Sequence, residues 1–392
     1  MSPSEWKDVS LEDAIEFRNG KSSPERKDRG SNPVYGGNGV IGYTEEFNSS
    51  SETIIVGRVG AYCGSVYFYQ GKCWVTDNAI IGKIKENYDG RFLFYLLKLL
   101  DLNSHRTGSS QPLVNQSILN SIQVRVPKQK QVQERIADLL NALDEKIELN
   151  RQTNQTLEAI VQAIYKEWFI NFNFPGATGE MQDSELGPIP KGWRVGKLGD
   201  IVEFIKGVSY RSSELMPSKY ALVTLKSIAR GGGFNNDGFK EFNGRYKEIQ
   251  ILSEGDTVIA QTDITQNAEV VGCPAIVENP FNYEKLIASI DIVKCVSKNT
   301  SLSSEAIYYF LKDQQFKDYC LSHTNGSTVL HLRSSELPNY DLVIPHPDIL
   351  KLFCRIIHSI NLKMLENNNQ IQTLTKTRDN LLPKLMSGEI KV

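Results

Sequence analysis

Residue types that can bind nucleic acid recur in glycine-rich segments of both halves of the chain. Arg and Lys match the edge of guanine, and Asn and Gln match the edge of adenine. Ser, Thr, Lys and Arg also bind phosphate oxygens. The candidates in the first half are Lys21, Ser22, Asn38, Arg58, Tyr62, Asn78, Arg106, Ser109, Ser110 and Gln111. Those in the second half are Lys206, Ser209, Tyr210, Arg211, Lys226, Arg230, Asn235, Asn236, Arg245, Tyr246, Gln261, Thr262, Thr324, Asn325, Ser327 and His331. Any single candidate fits a solvated loop residue equally well.

Two polar loops are the strongest part of this set, because they follow two similar apolar segments. They cover residues 106–111 and 323–328. Their glycines would serve equally well to end the preceding helices. The segment Tyr35-Gly-Gly-Asn-Gly39 also has two interpretations, a DNA contact or simply a tight turn, since Asn-Gly favours positive φ.

Residue patterns typical of catalysis and of metal or cofactor binding are missing. The string Asn279-Pro280-Phe281 lacks the second proline of an amino-methyltransferase motif, and no Gly-x-Gly-x-x-Gly opens a helix. Ile15 stands where a phosphate-binding loop ending at Ser22 would need glycine. The five histidines and six cysteines show no metal-ligand spacing. The sequence therefore predicts a non-catalytic protein that binds no metal or cofactor itself.

The chain repeats itself. The segment from Trp6 to Gly20 matches the segment from Trp193 to Gly207, with Trp, Leu, Asp, Glu, Phe and Gly at the same places. Phe92–Lys98 likewise matches Ala306–Lys312, and both read as apolar helices. The repetition predicts two similar globular domains.

A heptad pattern follows each predicted domain. Its a and d positions, most of them apolar, are 136, 140, 143, 147, 150, 154, 157, 161, 164 and 168, and again 353, 357, 360, 364, 367, 371, 374, 378, 381 and 385. Asn150 and Asn367 fall at the same register position, where a buried Asn penalises misaligned pairings. The alternative is two unrelated amphipathic helices, each packed on its own domain.

These patterns predict an α+β fold in which two similar domains, with twisted, mostly antiparallel sheets and short helices, are separated by two long helices. The predicted segments are a first domain over 1–127, a helix over 128–175, a linker over 176–192, a second domain over 193–345 and a helix over 346–392. The second helix is expected to run from about Asp348 to Leu382 and to end near Pro383 and Gly388. Antiparallel pairing of the helices as a coiled coil would give a pseudo-twofold repeat. The seam from 136 to 168 would then hold the domains about 50 Å apart at ~1.5 Å per residue.

Composition limits the function classes further. The chain has 392 residues and a net charge of −2, and neither predicted domain is basic, so binding of nucleic acid by bulk charge alone is excluded. No apolar stretch is long enough for a transmembrane helix, and no signal peptide pattern opens the chain. Without paired cysteine motifs, a reduced, cytoplasmic protein is expected.

The motifs, in this order and repetition, resemble the specificity subunit of Type I restriction–modification systems. The resemblance covers essentially the whole chain. It lies in Trp6, Leu11-Glu-Asp13 and Gly20, in Tyr35–Gly39 and Gly57-Arg58-Val-Gly60, in Gln133–Ile136, in Leu186–Trp193, and in Leu382–Ile390. The second half departs from the pattern, because Arg230-Gly-Gly-Gly-Phe-Asn-Asn236 stands where a second Tyr-Gly-Gly-Asn-Gly would be expected.

The resemblance implies two target-recognition domains, each reading one half of a split double-stranded DNA site, and helices that dock two methyltransferase subunits. Motor-nuclease subunits join that core, and S-adenosylmethionine, ATP and Mg would be bound by the partners. Candidate docking residues are Trp168, Phe169, Leu381 and Leu385, with local core packing as an equal alternative. Two other functions stay open: a coiled-coil scaffold without a DNA role, and a divergent solitary methyltransferase or nuclease.

Overall fold

Two compact units make up the chain. The computed structural model describes residues 5–60, 62–105, 113–265 and 267–392. One unit contains residues 1–152 and 367–392, and the other contains residues 153–366. Each unit therefore combines a globular domain with parts of two long helices. The predicted segment boundaries stay a prediction.

The first domain is a mixed α+β structure. Its strands are β1 (Trp6–Ser10), β2 (Ile15–Asn19), β3 (Asn32–Gly36), β4 (Gly39–Thr44), β5 (Glu52–Gly57), β6 (Val66–Gln70), β7 (Trp74–Val75), β8 (Ala79–Ile84) and β9 (Gln123–Pro127). Its helices are α1 (Leu11–Ala14), α2 (Gly90–Leu99) and α3 (Gln116–Ser121), and the long helix α4 (Lys130–Tyr165) follows. The apolar helix predicted at Phe92 is thus confirmed as α2, which Asp89 caps by accepting from the Phe92 amide.

The second domain continues the chain after a π-helical turn at Lys166–Ile170. Its strands are β10 (Met181–Gln182), β11 (Ile189–Pro190), β12 (Arg194–Lys197), β13 (Val202–Lys206), β14 (Tyr220–Val223), β15 (Phe239–Glu241), β16 (Ile251–Leu252), β17 (Thr257–Ala260), β18 (Thr262–Asp263), β19 (Pro274–Ile276), β20 (Lys285–Ala288), β21 (Ile292–Ser297), β22 (Thr324–Asn325), β23 (Leu330–Leu332) and β24 (Asp341–Ile344). Its helices are α5 (Leu198–Ile201), α6 (Ser304–Leu311), α7 (Gln314–Ser322) and the long α8 (Pro347–Ser387).

Both domains have a central four-stranded sheet of the same topology, which confirms the internal repeat. The central sheet has the order β2-β8-β5-β6 in the first domain and β13-β21-β17-β19 in the second, with antiparallel pairs throughout. A second sheet in each contains one parallel pair, β3 with β7 and β14 with β20. The matched segments that begin at Trp6 and Trp193 form the same succession, β1-α1-β2 and β12-α5-β13.

The long helices run antiparallel within each unit. In the first unit, Arg378 of α8 binds Asp144 of α4, and the Gln370 side chain of α8 accepts from the Asn150 side chain of α4. The residue numbers of the α8 partners therefore increase as those of the α4 partners decrease. In the second unit, the Asn154 amide group donates to the Met364 carbonyl oxygen. Every predicted seam position is buried or half-buried, including Asn150 and Asn367. The heptad periodicity therefore identified the packed faces correctly.

The second long helix extends five residues beyond the predicted Leu382 and ends just before Gly388, one of the two residues expected near its end. α8 continues through Pro383 to Ser387 and stops at Gly388, whose φ is +76°. The helix continues because its last turn buries Leu385 and Met386 in the core of the first unit, which stabilises a turn that proline alone would disfavour. Among the described residues, no helix is long and apolar enough to cross a membrane.

Candidate nucleic-acid interface

In each central sheet, one strand is followed by a loop that the same pair of backbone hydrogen bonds closes. The first loop (residues 58–64) follows β5, where the Gly57 amide donates to Ser65 O (2.8 Å) and the Gly64 amide donates back to Gly57 O (2.8 Å). The second loop (residues 261–272) follows β17, where the Ala260 amide donates to Cys273 O (3.0 Å) and the Gly272 amide donates back to Ala260 O (3.0 Å). The rigid strands therefore hold both loops at equivalent places.

The first unit brings several predicted site residues together at its loop. The Arg58 amide donates to the Asn78 carbonyl oxygen (2.9 Å), and Lys21 forms an isolated bridge with Thr76. A Cβ on Gly37 would lie 3.3 Å from Asn78 O, so the β3–β4 turn that carries Asn38 packs beside them. The side chains of Lys21, Ser22, Asn38, Tyr62 and Asn78 are exposed, and that of Arg58 is half-buried.

The second unit forms an equivalent cluster from different residues. The Gln261 amide donates to the Asp291 carbonyl oxygen (2.7 Å), as Arg58 does to Asn78. Gly231 donates to Glu269 O (3.1 Å), which ties the segment with Arg230, Asn235 and Asn236 to the second loop. That segment connects β14 to β15 as the Tyr35–Gly39 turn connects β3 to β4, so the two stretches are structurally comparable.

The second predicted polar loop, residues 323–328, lies beside the second loop. In the second unit, β23 carries His331 and pairs with Thr262 and with Asn325 of β22; Asn325, Ser327 and His331 are exposed, while Thr324 is half-buried. In the first unit, the backbone of Val59 forms a bridge with Leu113. Arg106, Ser109, Ser110 and Gln111 themselves lie outside the described residues.

A close backbone approach explains the matched glycines. A Cβ on Gly20 would lie 2.0 Å from Thr76 O, and one on Gly207 would lie 1.9 Å from Ser289 O, so only glycine fits. Thr76 and Ser289 are both buried, and their hydroxyl groups have no hydrogen-bond partner in the part of the chain that the structure describes.

Asp263 makes the second loop rigid. Its carboxylate accepts from the Thr265 amide and hydroxyl and from the amides of Val270 and Val271, at 2.6–2.7 Å. Burial raises the pKa of this carboxyl, but these hydrogen bonds outweigh it and the net pKa is lowered. The ionised side chain therefore fixes the loop and leaves Ile264 exposed at 66%.

Several predicted candidates are engaged in contacts within the protein. Thr262 is buried, and its hydroxyl donates to Asp291 (3.1 Å), so it is not on the accessible surface. Arg230 pairs with Glu269 (3.2 Å), and the Tyr210 ring lies under Lys240. Tyr246 packs against Tyr220 in a separate aromatic cluster. Lys206, Ser209, Arg211, Lys226 and Arg245 are exposed.

The candidate docking residues lie in or against the cores. Trp168 and Phe169 are 9% and 6% exposed and pack in the second unit, where Phe169 meets Phe353 edge-on. Leu385 is fully buried in the first unit, and Leu381 packs against the same core. Their placement supports the local-packing alternative.

A polar contact ties each apolar domain helix to α4. In the first unit, the Tyr95 hydroxyl donates to Asp144 (2.8 Å). In the second unit, Tyr309 donates to Glu158 (2.8 Å), and Lys312 forms an ion pair with the same carboxylate (2.6 Å). Burial raises the pKa of Glu158, but the hydrogen bond and charge of Lys312 outweigh it and lower the pKa.

Sequence reasoning missed Thr76, Ser289 and Asp263. The first two occupy matching places in Thr76-Asp77-Asn78 and Ser289-Ile290-Asp291. In both triplets a hydroxyl residue stands two positions before Asn or Asp, and a strand begins at the next residue. That short match is the signal that could have found them. Asp263 carries no comparable signal, because its partners are loop amides.

Comparisons with known proteins agree with the repeat. A family model described as the Type I restriction modification DNA specificity domain matches residues 3–159 and again 190–376. The whole chain is 26% identical to the MjaIX specificity subunit of a Type I restriction enzyme from Methanocaldococcus jannaschii, over 94% of that protein. The HindI specificity subunit from Haemophilus influenzae is 25% identical over 76% of this chain and 77% of its own. The crystal structure of an S subunit from M. genitalium shares the fold, with a TM-score of 0.61 at 18% identity, covering 97% of this chain and 96% of that one.

Proposed function

This chain belongs to the Type I restriction modification DNA specificity family, and we propose that it reads a bipartite DNA site with one half-site per globular domain. As a specificity subunit it is not itself an enzyme. Methyltransferase subunits dock on it, and motor-nuclease subunits join the complex in the cytoplasm, where free cysteines such as its own persist.

The observation that carries this proposal is the equivalence of the two loop sites. The same strand ends and the same backbone hydrogen bonds present Lys21, Arg58 and Asn78 in one unit and Gln261, Asn325 and His331 in the other. The same backbone hydrogen bonds at the strand ends, with different polar side chains, suit a protein that reads two different short sequences. Base identity is read by side-chain donors and acceptors.

Charge sets an expectation for affinity. With a net charge of −2, the chain as a whole does not attract DNA electrostatically, so we expect partner subunits to supply much of the phosphate contact. Binding by the chain alone is weak and salt-sensitive. Tight binding that is unaffected by salt would contradict this expectation.

The first experiment is a methylome. The chain is expressed with the methyltransferase subunit encoded beside it in a host without DNA methylation, and modified adenines are mapped by single-molecule sequencing. The expected result is a split motif of two short defined halves around a fixed gap. No modification despite a soluble complex would favour a scaffold without a DNA role.

The proposed spacer is set by the paired helices. One heptad inserted after Asn154 together with one after Met364 keeps the contacting faces of α4 and α8 matched, since these two residues are hydrogen-bonded. Seven residues add about 10 Å at ~1.5 Å each, or about three base pairs at ~3.4 Å each. The gap should lengthen accordingly, whereas insertion in α4 alone should abolish assembly. A doubly extended chain that methylates the original motif at full rate would refute the spacer proposal.

A further inference from the structure

Arg58 and Gln261 occupy one structural position, at the first residue of the first and second loops. The amides donate to Asn78 O and Asp291 O at 2.9 and 2.7 Å. Their carbonyl oxygens accept from Val114 and Leu332 at 3.0 and 2.8 Å. The backbone is therefore fixed on both sides, and only the side chain differs between the units.

Both side chains hold a polar atom that is left without a partner. Within the described ranges, both Arg58 Nε and Gln261 Oε1 are buried, Arg58 Nε donates no hydrogen bond, and Gln261 Oε1 accepts none. In the part of the chain that the structure describes, the rest of the Arg58 guanidinium reaches only the Asp77 carbonyl oxygen, at 3.4 Å. Unpaired buried polar groups destabilise a fold, so a side chain that is kept this way at two equivalent positions points to a ligand with its own donors and acceptors.

Two neighbouring polar side chains are engaged inside the protein. Asn38 accepts from the Tyr67 hydroxyl at 3.2 Å, and Arg230 is paired with Glu269. The unpaired hydroxyl groups of Thr76 and Ser289 lie two residues before the carbonyl acceptors of this same position. Within the described residues, each of the two positions therefore combines a buried side-chain atom and a nearby buried hydroxyl group that both lack a hydrogen-bond partner.

We propose that this shared position determines one base pair in each half-site, with Arg58 reading a G·C pair and Gln261 reading an A·T pair. The guanidinium fork donates two hydrogen bonds to O6 and N7 of guanine, and the glutamine amide both donates to and accepts from adenine. The inference rests on the proposed function, since it names what that site recognises.

The test uses the intact complex and the same methylome. Arg58→Gln should lower the preference for guanine at one position of one half-site by about tenfold or more, while the other half-site is unchanged. Gln261→Arg should change one position of the other half-site only. Arg91→Gln on α2 and Gln315→Arg on α7 carry the same changes on exposed or half-buried helix faces and should leave the motif intact.

Arg58→Lys is a second variant at the same position, which keeps the test valid if Arg58→Gln fails to fold. It keeps the positive charge but loses the planar fork, so it should relax the guanine preference while methylation continues. If Arg58→Lys and Gln261→Arg both methylate the wild-type motif unchanged, or lose methylation evenly at all bases, the inference is overturned. If the wild-type complex itself yields no split motif, the proposed function fails instead.

Discussion

Removing the charge of Glu158 tests the contact that ties α6 to α4. The carboxylate accepts from Lys312 Nζ (2.6 Å), from the Tyr309 hydroxyl (2.8 Å) and from the Tyr308 hydroxyl (3.3 Å). Glu158→Gln keeps the size of the side chain and an acceptor for Tyr309. It leaves Lys312 charged in a largely buried place without its counter-ion.

The expected loss follows from the burial of this pair. The Glu158 and Lys312 side chains are only 21% and 24% exposed. Breaking a buried pair by removing one partner costs about 3–5 kcal/mol, and the residual exposure favours the lower end, about 3 kcal/mol. For a unit of this size, each kcal/mol lowers the unfolding midpoint by about 2–4 °C, so the second unit should melt about 6–12 °C earlier.

Differential scanning calorimetry of the purified chain measures this shift. Glu284→Gln is the matched control, because Glu284 binds Lys219 at an equally short 2.7 Å but both side chains are more than half exposed. The control should leave the midpoint within the scatter of repeats. If the two variants melt alike, the reasoning from burial is refuted.

The pH dependence gives a second readout of the same pair. The native pKa of Glu158 lies below its ordinary value of 4.5, so its stabilisation is fully present above that value and is lost as the pH falls through the native pKa. The difference between wild type and Glu158→Gln should be full at neutral pH and should close below about pH 4.5.

Two other features give direct predictions. Gly20→Ala or Gly207→Ala should destabilise its own unit by about 3 kcal/mol or more in a denaturant titration, because the new Cβ meets a backbone oxygen that cannot move aside. Gly176→Ala is the control, since open space surrounds this glycine. It should show only the smaller cost of its positive φ in the same titration. Asn150→Leu should raise the melting midpoint of the first unit, since it replaces a buried amide, and should let methylation spread to motifs with other gaps; a lower midpoint with an unchanged gap would contradict the register role.

Local and periodic features of the fold could be predicted from the sequence. The heptads identified the packed faces of α4 and α8, and the repeated segments at Trp6 and Trp193 identified two domains of one topology. Both signals depend on spacing along the chain, which sequence displays directly.

Contacts between distant segments could not be predicted in the same way. The repeat implies that Asn361 of α8 takes the place of Asp144, yet the carboxylate that binds Tyr309 comes from α4, at Glu158. Likewise Arg58 and Gln261 share no chemical type, and only the backbone hydrogen bonds at the strand ends identify their common position.

The closure of the first and second loops bears on how such a protein changes over generations. The second loop is longer, yet the same two hydrogen bonds shut both. Doubling the length of a flexible loop costs only about 0.6 kcal/mol, so insertions beyond these bonds are inexpensive for folding. Insertions, deletions and substitutions in the loop tips can therefore accumulate while the sheets stay folded. New DNA sequence preferences can evolve in this way without an intermediate variant that fails to fold.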